Sequence, residues 1–459
     1  MSLETIKQYG QIHMIGIGGV SMSGLAELLK DNQILVTGSD KQESENTKHL
    51  QSLGLNITIG SNKEMINNAD LIVYTAAIPE TDIEYSYAKE INKKMMERSE
   101  FLGEITKCFK ECICISGTHG KTTTTSMISL CFLEANLDPT IEVGAYLKAI
   151  KGNNKTGNSE YFILESCEYV DSFLKFHPHT EIILNIDNDH LNYFKNIENI
   201  KKSFLEFTNK LDETGTIIAN LDDTNTKEIL EKTTHHKITY GIENEIANFQ
   251  AKNIKLDSYG YPTFTCFKNQ EYYDTYSLSV HGKHNILNAL ATIATCDLYK
   301  LSKEAIKSGL QTFTGANRRF EKIGEYKGIP VIDDYAHHPT EIKTTLQSSK
   351  DLPHNKTWVV FEPHTYSRTK EHLEEFASIL KEFDYIILAD IYAARENNTY
   401  NISSIDLLKE IKKENPNCIY LESYDKITNY LKENVQKDDI IITIGAGTIN
   451  QVGYALIQE

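Results

Sequence analysis

Residues 114–125 read Cys-Ile-Ser-Gly-Thr-His-Gly-Lys-Thr-Thr-Thr-Thr, a β-rich run that breaks into glycines and then a lysine. That order makes a phosphate cradle. Gly117 and Gly120 allow the tight turn that points backbone N–H groups at anionic oxygens, Lys121 can reach β- and γ-phosphates, and the Thr122 hydroxyl suits Mg²⁺. A helix from about Thr122 to Glu134 would aim its positive end at the same phosphates. Ile115 stands where the full motif has its first glycine, so the loop is the shortened Gly117-Thr118-His119-Gly120-Lys121-Thr122, with Thr123 behind it. The reading is a nucleoside triphosphate site. An ordinary strand-to-helix turn would not meet so many constraints together.

Six further constellations carry chemistry. Gly16-Ile-Gly18-Gly19-Val-Ser21-Met-Ser23-Gly24 lies between a predicted strand and helix, and Asp40 closes the next strand. A G-x-G turn of this kind binds the diphosphate of either a dinucleotide or a sugar nucleotide, and here Ser21 replaces the third glycine. Glu165 ends Tyr-Phe-Ile-Leu-Glu and suits a Mg²⁺ that bridges phosphates. His190, in Asn-Ile-Asp-Asn-Asp-His, is a less usual ligand for that ion and alone reads as a histidine packed at a strand end. His281-Gly-Lys-His-Asn285-Ile-Leu-Asn288 opens a helix, where the asparagines either cap it or read a base edge. Arg318 and Arg319 offer guanidinium forks for phosphate, or surface charge. Asp333-Asp334-Tyr335-Ala-His337-His338-Pro and Glu362-Pro-His364-Thr-Tyr-Ser-Arg368 both follow predicted strands, whose carboxyl ends bind ligands in open α/β sheets. A metal site from His337, His338 and His364 is the weaker reading, because adjacent side chains point apart.

Positioning these groups requires an alternation of strands and helices, and the sequence has one. Gln11–Ile17, Ile34–Gly38, Asn56–Ile59 and Asp70–Thr75 read as strands, with helices at Met22–Lys30 and Glu45–Leu53 between them, which implies a parallel doubly wound sheet. Another helix runs from Arg98 to about Lys107. The middle of the chain places buried strands at Tyr161–Leu164, Glu181–Ile186 and Thr216–Ala219, antiparallel hairpins over Asn248–Val280 and a helix from His284 to about Tyr299. The alternation restarts with strands at Pro330–Asp333, Trp358–Phe361, Tyr385–Ala389 and Ile440–Ile444. The expected fold class is α/β in three domains, 1–107, 108–315 and 316–459, the central one with a mixed sheet.

Composition bounds the partners. With 47 basic against 64 acidic residues, a net charge of -17 and no basic block, a nucleic-acid footprint is not expected. No apolar run is long enough for a membrane span and the start lacks the order of a secretory signal, so a cytoplasmic location is expected. Eight cysteines form no C-x-x-C pair, and Cys112 and Cys114 alternate as small core residues in one strand.

Taken in order, GIGG with MSG, GTHGKTTTT, ES-x-E with SFL, NIDNDH, HGKHN, NRRFE, DDYAHHPTE and FEPHTYSRT make the chain resemble the Mur ligase family over essentially its full length. Within that family it is most similar to the members that add the first amino acid. The resemblance implies a UDP-sugar domain, a central ATPase domain and a C-terminal Rossmann-like domain that receives the amino acid. It implies ATP-dependent joining of L-alanine to the lactyl carboxylate of UDP-N-acetylmuramate in peptidoglycan precursor synthesis, with ATP and Mg²⁺. Gly16, Gly18, Gly19, Ser23 and Asp40 would then belong to the UDP-sugar site. Gly117 to Thr123, Asn285, Asn288 and Arg319 would serve the nucleotide, and Thr122, Glu165 and His190 the metal. Lys121, Glu165, His190, Arg319, Asp334 and His337 would act in catalysis, and Tyr335, His364 and Arg368 in the amino-acid pocket. Ser21 departs from the family's glycine. Cys167 replaces a common acidic residue, which leaves Glu168 to carry any acidic role there, and no counterpart of the carbamylated lysine of related ligases is evident. The alternatives are the relative that attaches a recycled tripeptide, an NAD-dependent oxidoreductase built on the first glycine turn, and a nucleotide-binding regulator.

Overall fold

Three β-sheets organise the residues described (3–257, 260–315, 317–394 and 396–458) in this computed structural model. The first is wholly parallel, in the order Asn56–Ile59, Leu35–Asp40, Gln11–Ile15, Leu71–Tyr74, Met95–Glu97. Its centre is buried on both faces, apolar on one through Ile12, Met14, Val36, Leu71 and Val73, and on the other carrying His13, Thr37 and Ser39 alongside Ile15 and Ile72.

The second sheet is mixed. Its parallel heart runs Thr216–Asn220, Thr180–Ile183, Glu111–Ser116, Tyr161–Glu165, Thr140–Leu147, and Gly152–Lys155 adds an antiparallel edge. On the other side follow His236–Gly241, Phe249–Leu256, Pro262–Lys268 and Glu271–Ser277. The third sheet has the order Glu321–Tyr326, Ile329–Asp334, Ile440–Ile444, Thr357–Phe361, Tyr385–Leu388, Cys418–Tyr420, parallel except for its first strand.

Contacts gather the chain into two compact units. One holds residues up to Lys252 with Thr265–Tyr276 and Leu287–Phe313; the other holds Asn253–Phe264, Ser277–Ile286 and everything from Thr314. Ala316, where the sequence placed the start of the third domain, lies outside the described residues. Among the described residues no helix is long and apolar enough to cross a membrane.

Several strands escaped the sequence reading. Gly152–Lys155 is Gly-Asn-Asn-Lys, without a β-branched or aromatic residue, so propensity does not mark it, and Met95–Glu97 and Cys418–Tyr420 are three residues long, too short to show a pattern. Thr140–Leu147 and Glu321–Tyr326 alternate only weakly between buried and exposed positions. The expected strand Glu181–Ile186 stops at Ile183, because Leu184 to Ile186 leave the sheet to meet the glycine loop.

In the first unit the core is continuous from the first sheet to the second. Leu25 and Leu29 of the helix Val20–Asp31, Phe101 and Ile105 of Arg98–Thr106, and Phe162 and Leu164 of the central sheet belong to one buried cluster. Cys112 and Cys114 are buried within it, as small core residues. Phe173 is fully buried, its ring stacked 4.4 Å from Phe207 and edge-on 5.2 Å from Phe204. It anchors a tight turn beside the glycine loop. Phe173→Ala should therefore cost about 3–5 kcal/mol of unfolding free energy, read by chemical denaturation.

Candidate active site

The glycine loop sits between the strand Glu111–Ser116 and the helix Lys121–Glu134. Gly120 is the helix N-cap at φ +87°, where an L side chain is strained, and a Cβ there would lie 2.7 Å from Asn288 Oδ1. Glycine is required at 120 for both reasons. The loop is stapled to the chain leaving the neighbouring strand: Thr118 N donates to Asn185 O at 3.0 Å, and His119 N donates to Asn185 Oδ1 at 2.8 Å. Asn185 Nδ2 donates back to His119 O at 3.0 Å, and Asp187 N to Thr118 Oγ1 at 2.9 Å. His119 Nε2 lies 3.2 Å from Asp187 Oδ2.

Lys121 and Thr122 open the helix beside two carboxylates. Lys121 Nζ donates to Gly117 O, to Thr118 O at 3.1 Å and to Glu168 Oε2 at 3.0 Å. Burial pulls the lysine's pKa down more strongly than any single neighbour raises it, but the Glu168 charge and hydrogen bond together with the other acidic groups around it, Glu165 among them, hold the ammonium well above its ordinary range. Thr122 Oγ1 donates to Glu165 Oε2 at 3.2 Å, and Glu165 Oε1 accepts from Gly144 N. His190 has φ +55° and its ring lies 4.6 Å from that of Tyr169. Asn288 touches the loop at Gly120 and is 6% exposed.

At the first sheet, Gly18 N donates to Asp40 Oδ2 at 2.9 Å and Gly18 O accepts from Asn46 Nδ2 at 2.8 Å. The Asp40 carboxylate thus holds the glycine turn itself. A Cβ at Gly18 would meet Thr47 Cγ2 at 2.8 Å. Gly16 N bonds Ser39 O, and Gly19 is the N-cap of the next helix. The Ser23 hydroxyl turns inward to Val20 O, 2.9 Å away. Ser21 faces the second sheet, donating to Glu142 Oε1 and accepting from Arg98 Nη1 at 3.1 Å. Burial pushes the Glu142 carboxyl up, against the pull of Arg98.

The third sheet gathers its own cluster at its strand ends. Arg318 Nε donates to Asp333 Oδ2 at 2.8 Å, and its Nη1 and Nη2 donate to Gly447 O and Gly445 O at 2.9 and 2.7 Å. That fork is spent on the fold. Arg319, a third exposed, lies 5.4 Å over the Tyr335 ring, with Nη1 3.5 Å from Glu341 Oε1. Burial raises Asp334 to about 6, although Thr345 Oγ1 donates to its Oδ2 at 2.6 Å. His337 N donates to Glu341 Oε2 at 2.9 Å, and the His337 and His364 rings are 5.6 Å apart. Arg368 Nη1 lies 3.1 Å from His364 Nδ1. His338 instead caps the helix Pro339–Lys350 and sets its ring 4.9 Å from His372, so the three-histidine metal reading is not met. Asn285 Nδ2 donates to His281 O at 2.7 Å at the start of the helix Lys283–Leu298.

Comparison with known proteins decides the family. Models of the Mur ligase family catalytic domain, the Mur ligase middle domain and the Mur ligase glutamate ligase domain match residues 11–110, 115–296 and 318–447. A UDP-N-acetylmuramate–L-alanine ligase of Clostridium novyi (strain NT) is 47% identical over 459 residues, all of both chains. The chain belongs to the Mur ligase family. Among solved structures this Mur ligase is similar to the UDP-N-acetylmuramate-alanine ligase of Thermotoga maritima, at TM-score 0.81 and 26% identity over 98% of each chain. It is also similar to a murein peptide ligase of Psychrobacter arcticus, at TM-score 0.71 and 25% identity, again over 98% of each. The three-domain α/β fold is that of the family, and the NAD-dependent oxidoreductase reading of the first glycine turn falls with it.

In this Mur ligase the first unit brings Lys121, Thr122, Glu165 and Asn288 to one loop, and the second brings Tyr335, His337, His364, Arg368 and Arg319 to one edge. Sequence reasoning missed Arg98 and Glu142 as partners of Ser21; the lost glycine was the signal, but nothing local names partners so far along the chain. It also missed Glu181, fully buried in the central strand beside Ser116, with Oε1 3.5 Å from Ser116 Oγ. Burial pushes its carboxyl up to about 8. The raised value means a stabilising contribution present below about pH 4.5, the ordinary value, and lost as pH rises through about 8. Glu181→Gln, which mimics the protonated acid, should raise the midpoint of thermal unfolding at pH 8.5 and lose that advantage near pH 4.5.

Proposed function

We infer that this Mur ligase uses ATP to join L-alanine to the lactyl carboxylate of UDP-N-acetylmuramate, forming an amide and releasing ADP and phosphate. The observation that carries the reading is the 47% identity across all 459 residues to the Clostridium novyi ligase of that name. The glycine loop with Lys121 supplies the chemistry it needs. A carboxylate is a poor acyl donor because oxide would have to leave. Its oxygen therefore attacks the γ-phosphorus, ADP departs, and an acyl phosphate results. The neutral amine of alanine then attacks the acyl carbon, and phosphate leaves from the tetrahedral species while the surplus amine proton is given up.

The residues divide by step. Gly117, Thr118, His119, Gly120, Lys121, Thr122 and Thr123 bind the triphosphate, and Lys121 offsets charge that spreads over the transferring oxygens. Asn285, Asn288 and Arg319 are likewise assigned to the nucleotide. Gly16, Gly18, Gly19, Ser23 and Asp40 serve the UDP-sugar, the serine by fixing the helix that follows the turn. Tyr335, His364 and Arg368 bind alanine, and Asp334 and His337 handle the amine proton. The Thr122 hydroxyl and Glu165 carboxylate, 3.2 Å apart, are hard oxygen donors that fit Mg²⁺, with His190 as a further ligand. When bound, that ion would supply positive charge to offset the phosphate oxygens. The proposed domain bounds are 1–107, 108–315 and 316–459. ATP and a nucleotide-sugar as substrates support a cytoplasmic location.

The second reading is the ligase that attaches a recycled tripeptide, favoured by the likeness to the Psychrobacter arcticus enzyme. Phosphate release from Mg-ATP separates the two. It should require UDP-N-acetylmuramate and L-alanine together, with glycine and L-serine poorer acceptors. Release only with the tripeptide would move the assignment to the recycling enzyme, and none with any acceptor would leave a regulator.

A further inference from the structure

Lys121 has all three of its ammonium hydrogens engaged within the protein. Two go to carbonyl oxygens of its own loop, Gly117 and Thr118, and the third to Glu168. The Glu168 side chain is 3% exposed, so each charge depends on the other to offset desolvation.

Glu168 has little freedom to follow the lysine. It precedes the turn Tyr169–Lys175, in which Val170 and Asp171 have φ of +51° and +56°. For a β-branched valine that conformation is an outlier, and such strain persists only where the surroundings over-determine it. They do so here at three points. Phe173 is locked in the aromatic core, Asp171 accepts from the Ser203 and Tyr193 hydroxyls, and Ser166 N donates to Ile115 O at 2.9 Å. The carboxylate is a fixed anion, and the mobile partner is the long lysine side chain.

We propose that Glu168 is a positioning residue, an internal counter-anion that competes with nucleotide phosphates for the Lys121 ammonium and thereby sets nucleotide affinity and release. The inference rests on the reading of 117–122 as the triphosphate loop. A phosphate that takes the ammonium must draw it from a carboxylate of equal sign. That cost lowers affinity for ATP, and it equally speeds the departure of ADP, because the lysine has a prepared partner to return to.

Titration calorimetry with MgADP tests this on the full chain. Glu168→Gln keeps the shape and removes the charge, so MgADP should bind roughly tenfold more tightly, on the scale of one charge-assisted hydrogen bond. Its thermal midpoint should fall without nucleotide and recover with saturating MgADP. A merely structural role would lower the midpoint under both conditions and weaken binding. A folded Glu168→Gln with unchanged or weaker affinity overturns the proposal. If that variant does not fold, Glu168→Asp, which withdraws the carboxylate by one methylene, must also tighten MgADP, and unchanged or weaker binding there overturns the proposal equally. Wild-type protein that binds no MgADP would instead refute the loop assignment beneath it.

Discussion

A largely buried ammonium at the head of a helix is the constraint on which the central sheet's architecture turns. Lys121 stands where the helix dipole is positive, an unfavourable place for a cation without compensation. The compensation comes from two loop carbonyls and the Glu168 carboxylate. To present them, the loop must reverse within four residues, which sets glycine at 120, and the turn after Glu165 must adopt left-handed geometry at Val170 and Asp171. The resting state of the loop is thus electrostatically closed on itself. Phosphate oxygens satisfy the same donors, so the same geometry that tolerates the lysine prepares the site.

The neighbouring strand does the mechanical part. Thr180–Ile183 ends one residue before the loop staple begins, and Asn185 then bonds His119 through both its amide oxygen and its amide nitrogen. Ending that strand early frees Leu184 to Ile186 to wall the loop. Beneath it, the protonated Glu181 fills a position where a charge would be far more costly.

Legibility in the sequence followed the range of the forces involved. The glycine-lysine pattern at 117–121 states a local backbone requirement, so it could be read directly, and the strand leading to Glu165 was readable from its apolar run, whereas the strand before His190 ends at Ile183, three residues short of its apolar run. Partnerships across the fold were not. Ser21 with Arg98 and Glu142 joins residues 77 and 121 positions apart, and no periodicity encodes that. Arg318 and Arg319 look equivalent in the chain and both guanidinium groups lie near the Tyr335 ring, yet Arg318, with backbone φ of +61°, spends its fork on Asp333 and the loop at Gly445, whereas Arg319 reaches Glu341. The short polar edge strands were silent because ladder hydrogen bonds, not side chains, define them.

The account stands or falls on Lys121 belonging to a nucleotide site separate from the one at the first glycine turn. The direct measurement is ADP formation and UDP-N-acetylmuramate binding, both made on folded Lys121→Ala. The account predicts that turnover is abolished while the sugar nucleotide binds as in the wild type; loss of sugar-nucleotide binding together with turnover, or turnover that survives, would contradict it.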